Sequence, residues 1–243
     1  SVDGLAPEHN SSRMLPNGKG SFRHVRRTMA GLDRLGKPYS IRATITDKSV
    51  DSVGTFVEWL AAETGCKDVQ LEPVFDTSQT TRWGRKESPL CHERFISAFR
   101  DARRIGARVG ITVDYSGADL GVRASFCGAA DASNFVVTTK GVVSACNEVM
   151  LETDARARLF HYGRWNAAVK QFEINQASIR QLGKLRVRHV RKCARCFARY
   201  NCAGDCYAKT TNATTNPWDA PQTRRCTITR ELLKDSLALR ILR

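Results

Sequence analysis

The chain has 243 residues, 39 Lys+Arg against 24 Asp+Glu, and a formal net charge of +15. At 42% hydrophobic and 26% charged it has the balance of a soluble globular protein, long enough for one large domain or two modest ones with a sizeable core. No apolar run approaches membrane-spanning length, and the start, Ser1-Val2-Asp3-Gly4, is neither a signal peptide nor an initiating Met, so a cytoplasmic location is expected.

Read in chain order, Phe22, Val25, Met29, Leu32 and Leu35 recur at steps of three and four and predict an amphipathic helix over 22–35, stopped by Gly36 and Pro38. Tyr39 to Thr46 predicts a strand with Ile41, Ala43 and Ile45 on one face. A helix is expected over 51–64, a strand from Val69 to Phe75 broken by Pro73, a helix over 89–105 and a short strand from Val109 to Val113. This alternation implies parallel strands with crossover helices. About three such units are too few to close a barrel, so a fragment of a (β/α) barrel is expected. After Asp114 the pattern changes to short elements, glycines and cysteines. A hairpin is expected from 135–138 and 142–144, a helix over about 175–185, and a closing amphipathic helix over 229–242.

The chain has nine cysteines. An odd count fits poorly with full disulfide pairing, whereas clustered thiols in a reducing compartment more often ligate metal. Cys66 and Cys91 stand alone and are read as buried or simply unpaired thiols. The other seven follow residue 126, as Cys127-x13-Gly141-x4-Cys146, then Cys193-x2-Cys196-x5-Cys202-x3-Cys206, then Cys226. Thiolates suit zinc or iron–sulfur clusters, and a two-residue gap turns two sulfurs onto one centre. Seven are too many for one tetrahedral metal and one short of two four-ligand sites. Gly141 falls where a hairpin must reverse, a place for positive φ.

This pattern, including Cys202-Ala203-Gly204-Asp205-Cys206, resembles the SPASM domain, the auxiliary-cluster module of many radical S-adenosylmethionine (SAM) enzymes. The resemblance implies that Cys127, Cys146 and Cys206 ligate a first auxiliary [4Fe–4S] cluster, and Cys193, Cys196, Cys202 and Cys226 a second. Relatives with a fully ligated first cluster have a further cysteine about six residues before Cys127; here 116–122 contains none. An open iron site, Asp119 or another oxygen ligand, or bound substrate are the alternatives.

Ser1-Val2-Asp3-Gly4, His9, Arg13 and Gly18-Lys19-Gly20-Ser21-Phe22 resemble the S-x-D-G…H…R…G-x-G-S-F segment after the fourth barrel strand of the same enzymes, and 41–46 the strand that follows. By that resemblance Ser1 and Arg13 contact the amino-acid end of SAM, the guanidinium serving as a carboxylate clamp, and Val74 lies by the adenine. His9 is read as bonding a loop, not as a catalyst. His161 and Trp218 have no motif around them, and the Asn-x-Ser/Thr triplets at Asn10 and Asn212 carry no weight without a secretory context. The CxxxCxxC motif that binds the SAM-cleaving cluster is absent, so a truncated chain is expected, inactive alone. Sulfatase-maturating relatives have an acid after the second SPASM cysteine; here Asn147 cannot act as a base, which argues against that reaction.

The expected fold is therefore α/β: the C-terminal part of a partial (β/α)6 radical SAM barrel over 1–115, then a small irregular α+β SPASM domain over 116–243. The implied complete enzyme also carries SAM and a third [4Fe–4S] cluster, abstracts a substrate hydrogen with a 5′-deoxyadenosyl radical, and modifies a peptide or protein. Its implied partners are that substrate and a reductant such as flavodoxin or ferredoxin, with neither membrane nor nucleic acid. The basic residues are spread along the chain, which favours a solvated surface over a dedicated nucleic-acid face. Two rival readings are a basic zinc module binding nucleic acid, with Cys193, Cys196, Cys202 and Cys206 as its ligands, and a free-standing iron–sulfur electron carrier.

Overall fold

The structure is a computed structural model and describes residues 1–74, 90–210 and 222–242. The chain separates into two compact units, Ser1–Ala118 and Asp119–Arg243.

The first unit is built on a parallel sheet of β1 (Ser40–Ile45), β2 (Asp68–Pro73) and β3 (Thr112–Asp114), in that order. Its helices are α1 (Ala6–Ser12), α2 (Phe22–Arg34), α3 (Val53–Glu63) and α4 (His92–Val109). Strand alternation puts Ile41, Ala43, Ile45, Val69, Leu71 and Val113 on one face, all buried. They form the core with Phe56 and Leu60 of α3 and Phe95 and Phe99 of α4, each worth roughly 1.5–3 kcal/mol of hydrophobic stabilisation when fully buried. The alternate positions are polar: Arg42 pairs with Gln70, Thr44 with Glu72, and Gln70 with Asp114.

Two expectations in this unit are corrected. The helix expected to stop at 105 runs to Val109, and the strand expected from Val109 starts at Thr112. Ile105 and Val109 continue the helical period, and Gly110, at φ 76°, ends it in the left-handed conformation that glycine adopts most readily. Pro73 does not break the second strand; it is the last residue, paired with Ile45. Helix α1 was not anticipated. Phe75, and position 89 where the third helix was expected to begin, lie outside the described residues.

The second unit contains an antiparallel sheet in the order β4 (Val136–Val137), β5 (Val142–Ser144), β6 (His161–Asn166) and β7 (Gln171–Ile174). Its helices are α5 (Ala157–Phe160), α6 (Gln176–Gly183), α7 (Arg199–Cys202), α8 (Tyr207–Thr210) and α9 (Arg224–Ile241). The β4–β5 hairpin and α6 fall where the sequence put them; Asn175 caps α6 by accepting from the N–H groups of Ala177 and Ser178. The core gathers Val143, Phe160, Leu182, Leu185 and Val187 together with Cys146 and Cys193. The closing helix begins at Arg224, not 229. Its buried positions, Arg225, Ile228, Thr229, Leu232, Leu233 and Ser236, keep a helical spacing but are half polar, which hid its first turn from an apolar pattern. Among the described residues no helix is long and apolar enough to cross a membrane.

Candidate metal centre

Among the described residues no disulfide joins any of the nine cysteines. Seven of them are positioned by tight local structure in the second unit. The β4–β5 turn closes with Gly141 at φ 73°, its N–H bonded to Thr138 O at 2.9 Å. Just past β5, Cys146 N donates to Ser144 Oγ at 3.2 Å, and that hydroxyl lies 2.9 Å from both Cys146 O and Val149 O. One buried hydroxyl thus fixes the Cys146 loop. Cys127 is exposed and precedes a 3₁₀ turn, Gly128–Ala130, with Ala130 N bonded to Cys127 O at 2.9 Å. Cys206 follows three consecutive residues of positive φ, Ala203 at 55°, Gly204 at 93° and Asp205 at 70°. A run like this is costly for the two non-glycine residues and persists where its surroundings enforce it.

Electrostatic proximity sorts the thiols. Burial pushes Cys146 up, with lesser contributions from Glu148 and the Cys127 thiol. Burial pushes Cys206 up to about 12, with Asp205, Glu148 and Cys127 adding to it. Cys127 is thus near enough to Cys146 and to Cys206 to raise each. Cys193 is raised to about 11, by burial first and then by Cys196 and Cys226, and Cys202 to about 12, by burial, Asp205, Cys226 and Cys193. Cys193, Cys196, Cys202 and Cys226 also line one pocket that is partly open to solvent. Lys192, Arg199 and Arg230 line it too, and positive charge there offsets thiolate charge.

Asp205, Arg225 and Tyr207 lie next to Cys206 or Cys226 in the chain. Arg225 Nε donates to the Asp205 carboxylate with both side chains buried. Tyr207, buried as well, is raised by burial first and then by Cys193 and Cys202 of one set and Cys127 of the other. Its hydroxyl packs so closely on Gly204 that a Cβ there would fall 2.7 Å from it.

Among the described residues no three His, Cys, Asp or Glu side chains converge on a position for a single metal ion. A four-iron core separates its ligands farther than one ion does. The donor set, all thiols, fits such a core. Ligation requires thiolates, so these raised thiols must lose protons as metal binds.

In the first unit, Val2 N bonds Arg42 O at 3.0 Å and Thr44 N donates to Asp3 Oδ1 at 2.9 Å, which sets the N-terminal segment along β1. Ser1 is exposed beside this edge. Arg13 Nε and Nη2 donate to Asp3 Oδ2 and Oδ1 at 2.6 and 3.2 Å. The guanidinium expected to clamp a ligand carboxylate is thus held by an internal one, although the Arg13 side chain stays 40% exposed. Val74 is half-buried at the end of β2, its N–H bonded to Ile45 O at 2.8 Å. His9 is fully buried: Nδ1 accepts from Asp3 N at 3.2 Å, so Nε2 carries the proton and donates to Ser21 Oγ at 3.0 Å, and that hydroxyl donates to Arg13 O at 2.7 Å. It binds a loop, as expected of it.

Cys66 is buried with Sγ donating to Asp68 O, and Cys91 is exposed beside Glu93. His161 Nε2 lies 2.9 Å from Val149 O. Asn147 is exposed. Trp218 and Asn212 lie outside the described residues. Sequence reasoning overlooked Glu148, Asp205, Arg225 and Tyr207; the signal for three of them was adjacency to Cys206 or Cys226.

No family model matches this chain, and no curated protein matches it. Among solved structures, one described as "Native anSMEcpe with bound AdoMet" is similar, with a TM-score of 0.68 and 15% sequence identity, over 99% of this chain and 66% of that chain. This chain therefore spans 66% of the length of the structure it matches. The likeness is one of fold, a mixed α/β architecture with a parallel sheet.

Proposed function

We propose that this chain is part of a radical SAM/SPASM enzyme that modifies a peptide or protein, and that its second unit holds two auxiliary [4Fe–4S] clusters. Cys127, Cys146 and Cys206 hold the first, and Cys193, Cys196, Cys202 and Cys226 the second. The observation that carries the reading is the pocket lined by Cys193, Cys196, Cys202 and Cys226, with Cys127 close enough to both Cys146 and Cys206 to raise them. That pocket, lined by Cys226 and not by Cys206, also weighs against the zinc reading, which groups Cys206 with Cys193, Cys196 and Cys202 and leaves Cys226 aside. Similarity of fold to an AdoMet-bound protein is the second support.

When bound, the two auxiliary clusters would accept an electron or position the peptide, while hydrogen abstraction would be supplied by SAM and a third cluster for which this sequence has no CxxxCxxC motif. The chain's own residues have narrower tasks. The His9–Ser21–Arg13 chain of hydrogen bonds orders the loop carrying Arg13, the proposed SAM carboxylate contact alongside Ser1, with Val74 at the adenine. Burial of Cys146 and Cys193 keeps water from those two sulfurs, and Lys192 and Arg199 offset cluster charge. A reductant such as flavodoxin or ferredoxin and the peptide substrate are the partners.

The test is a pair of double variants in anaerobic reconstitution. Cys127→Ser with Cys146→Ser should lose about half of the iron, Cys193→Ser with Cys196→Ser the other half, and each remaining half should give a [4Fe–4S] spectrum. Loss of all metal in both, or no iron in either, contradicts the grouping.

A further inference from the structure

Three thiols leave one iron of a four-iron core without a thiolate ligand. Asp119, the acid that the sequence offered, is exposed and accepts the N–H of Gly121 at 2.8 Å in a local turn. Glu148 is placed differently. It lies two residues after Cys146, and its own N–H bonds the Cys146 sulfur. Its Oε2 lies 2.6 Å from Lys209 Nζ, and Lys209 lies three residues after Cys206, with its N–H on Cys206 O at 3.0 Å. The ion pair therefore joins the two segments that carry Cys146 and Cys206. The carboxylate is close enough to both thiols to raise them.

We propose that Glu148 is the oxygen ligand that completes the first site, binding one iron through its carboxylate, with Lys209 as its ion-pair partner. This rests on the two-cluster reading. A carboxylate has two oxygens and about four acceptor directions, so a lysine on one oxygen does not exhaust it. Iron takes oxygen as well as sulfur ligands. Three thiolates and a carboxylate concentrate negative charge, and two cations flank the position: Lys209, and Arg156, whose guanidinium is raised by Asp154 first and also by Glu148 and Cys146. A single oxygen ligand makes one iron of the cluster distinct from its three thiolate-bound neighbours, and more exchangeable.

The experiment uses the full chain carrying Cys193→Ser and Cys196→Ser, so that only the first site loads, with ferrous iron and sulfide as the probe. Iron per chain and the electron paramagnetic resonance of the oxidised and reduced forms are the readouts. The parent should hold about four irons. Glu148→Gln should fall to about three and show a three-iron signal on oxidation. Glu148→Cys should restore four, which a loss through misfolding would not do. Lys209→Met and Asp119→Asn should keep four. A Glu148→Gln protein with four irons and an unchanged spectrum overturns the assignment alone. So does a Lys209→Met protein that loses iron as Glu148→Gln does, since the pair and not the ligand would then matter. A parent that takes up no iron removes the cluster reading and this assignment together.

Discussion

Arg225 Nε donates to both carboxylate oxygens of Asp205, at 3.0 and 3.2 Å, with both side chains buried. Asp205 lies between Cys202 and Cys206, at the end of a run of three positive φ angles, and Arg225 directly precedes Cys226. The pair thus fastens the first turn of α9 to the turn that separates the two thiol sets. It supplies the enforcement that Ala203 and Asp205, at φ 55° and 70°, require.

Breaking this pair should be expensive. Asp205→Ala leaves a buried guanidinium without its counter-charge, and removing one partner of a buried pair costs about 3–5 kcal/mol. Urea unfolding followed by a probe in the second unit should show that loss, together with weakened iron uptake at both sites. Arg225→Lys should keep only part of the pair, because the Nε donor shared by both Asp205 oxygens is lost.

The buried imidazole of His9 predicts an acid-side instability. Its pKa is lowered, chiefly by burial, and its neutral form is fixed by accepting from Asp3 N. The unfolded chain takes up the proton near pH 6.5 while the folded chain resists it, so protons favour unfolding. Stability should be complete above pH 6.5 and fall as the pH drops from there toward the lowered folded value. The melting temperature of the first unit, followed from pH 8 to 5, checks this. His9→Gln should flatten the slope below pH 6.5.

Gly106 lies inside α4, where helix propensity alone would favour alanine by about 1 kcal/mol. Packing decides the other way. A Cβ there would fall 2.4 Å from Ile111 O and 2.9 Å from Val113 Cγ2, both on the chain entering β3. Gly106→Ala should therefore destabilise the first unit by about 1–3 kcal/mol, the usual cost of overpacking. Thermal unfolding should show it. At Gly54 of α3 the obstacle is the movable end of Ile105, so Gly54→Ala should cost less.

What the sequence made legible follows from periodicity. Ile41, Ala43 and Ile45 announced β1, and the 3.6-residue stripe from Phe22 to Leu32 announced α2, because in both the core side alone carries the signal. Strands β6 and β7 gave no such signal. Gly163 interrupts β6, since a Cβ there would fall 2.8 Å from Glu173 O, and the exposed aromatics Trp165 and Phe172 blur the alternation. The thiol spacing pointed to the candidate site, but not to the groups beside its cysteines. Arg225 and Asp205 are charged residues spending their charge on each other in the interior, and nothing in a charge pattern marks them for burial. Arg13 was read as open to a ligand because its partner, Asp3, is ten positions away in a loop.

The most direct measurement is anaerobic reconstitution of the purified chain, followed by iron, sulfide and zinc analysis with an absorption spectrum. The account predicts a brown protein with about eight irons and eight sulfides per chain, bleached by reductant. A colourless protein that keeps one or two zinc ions and no sulfide would contradict it.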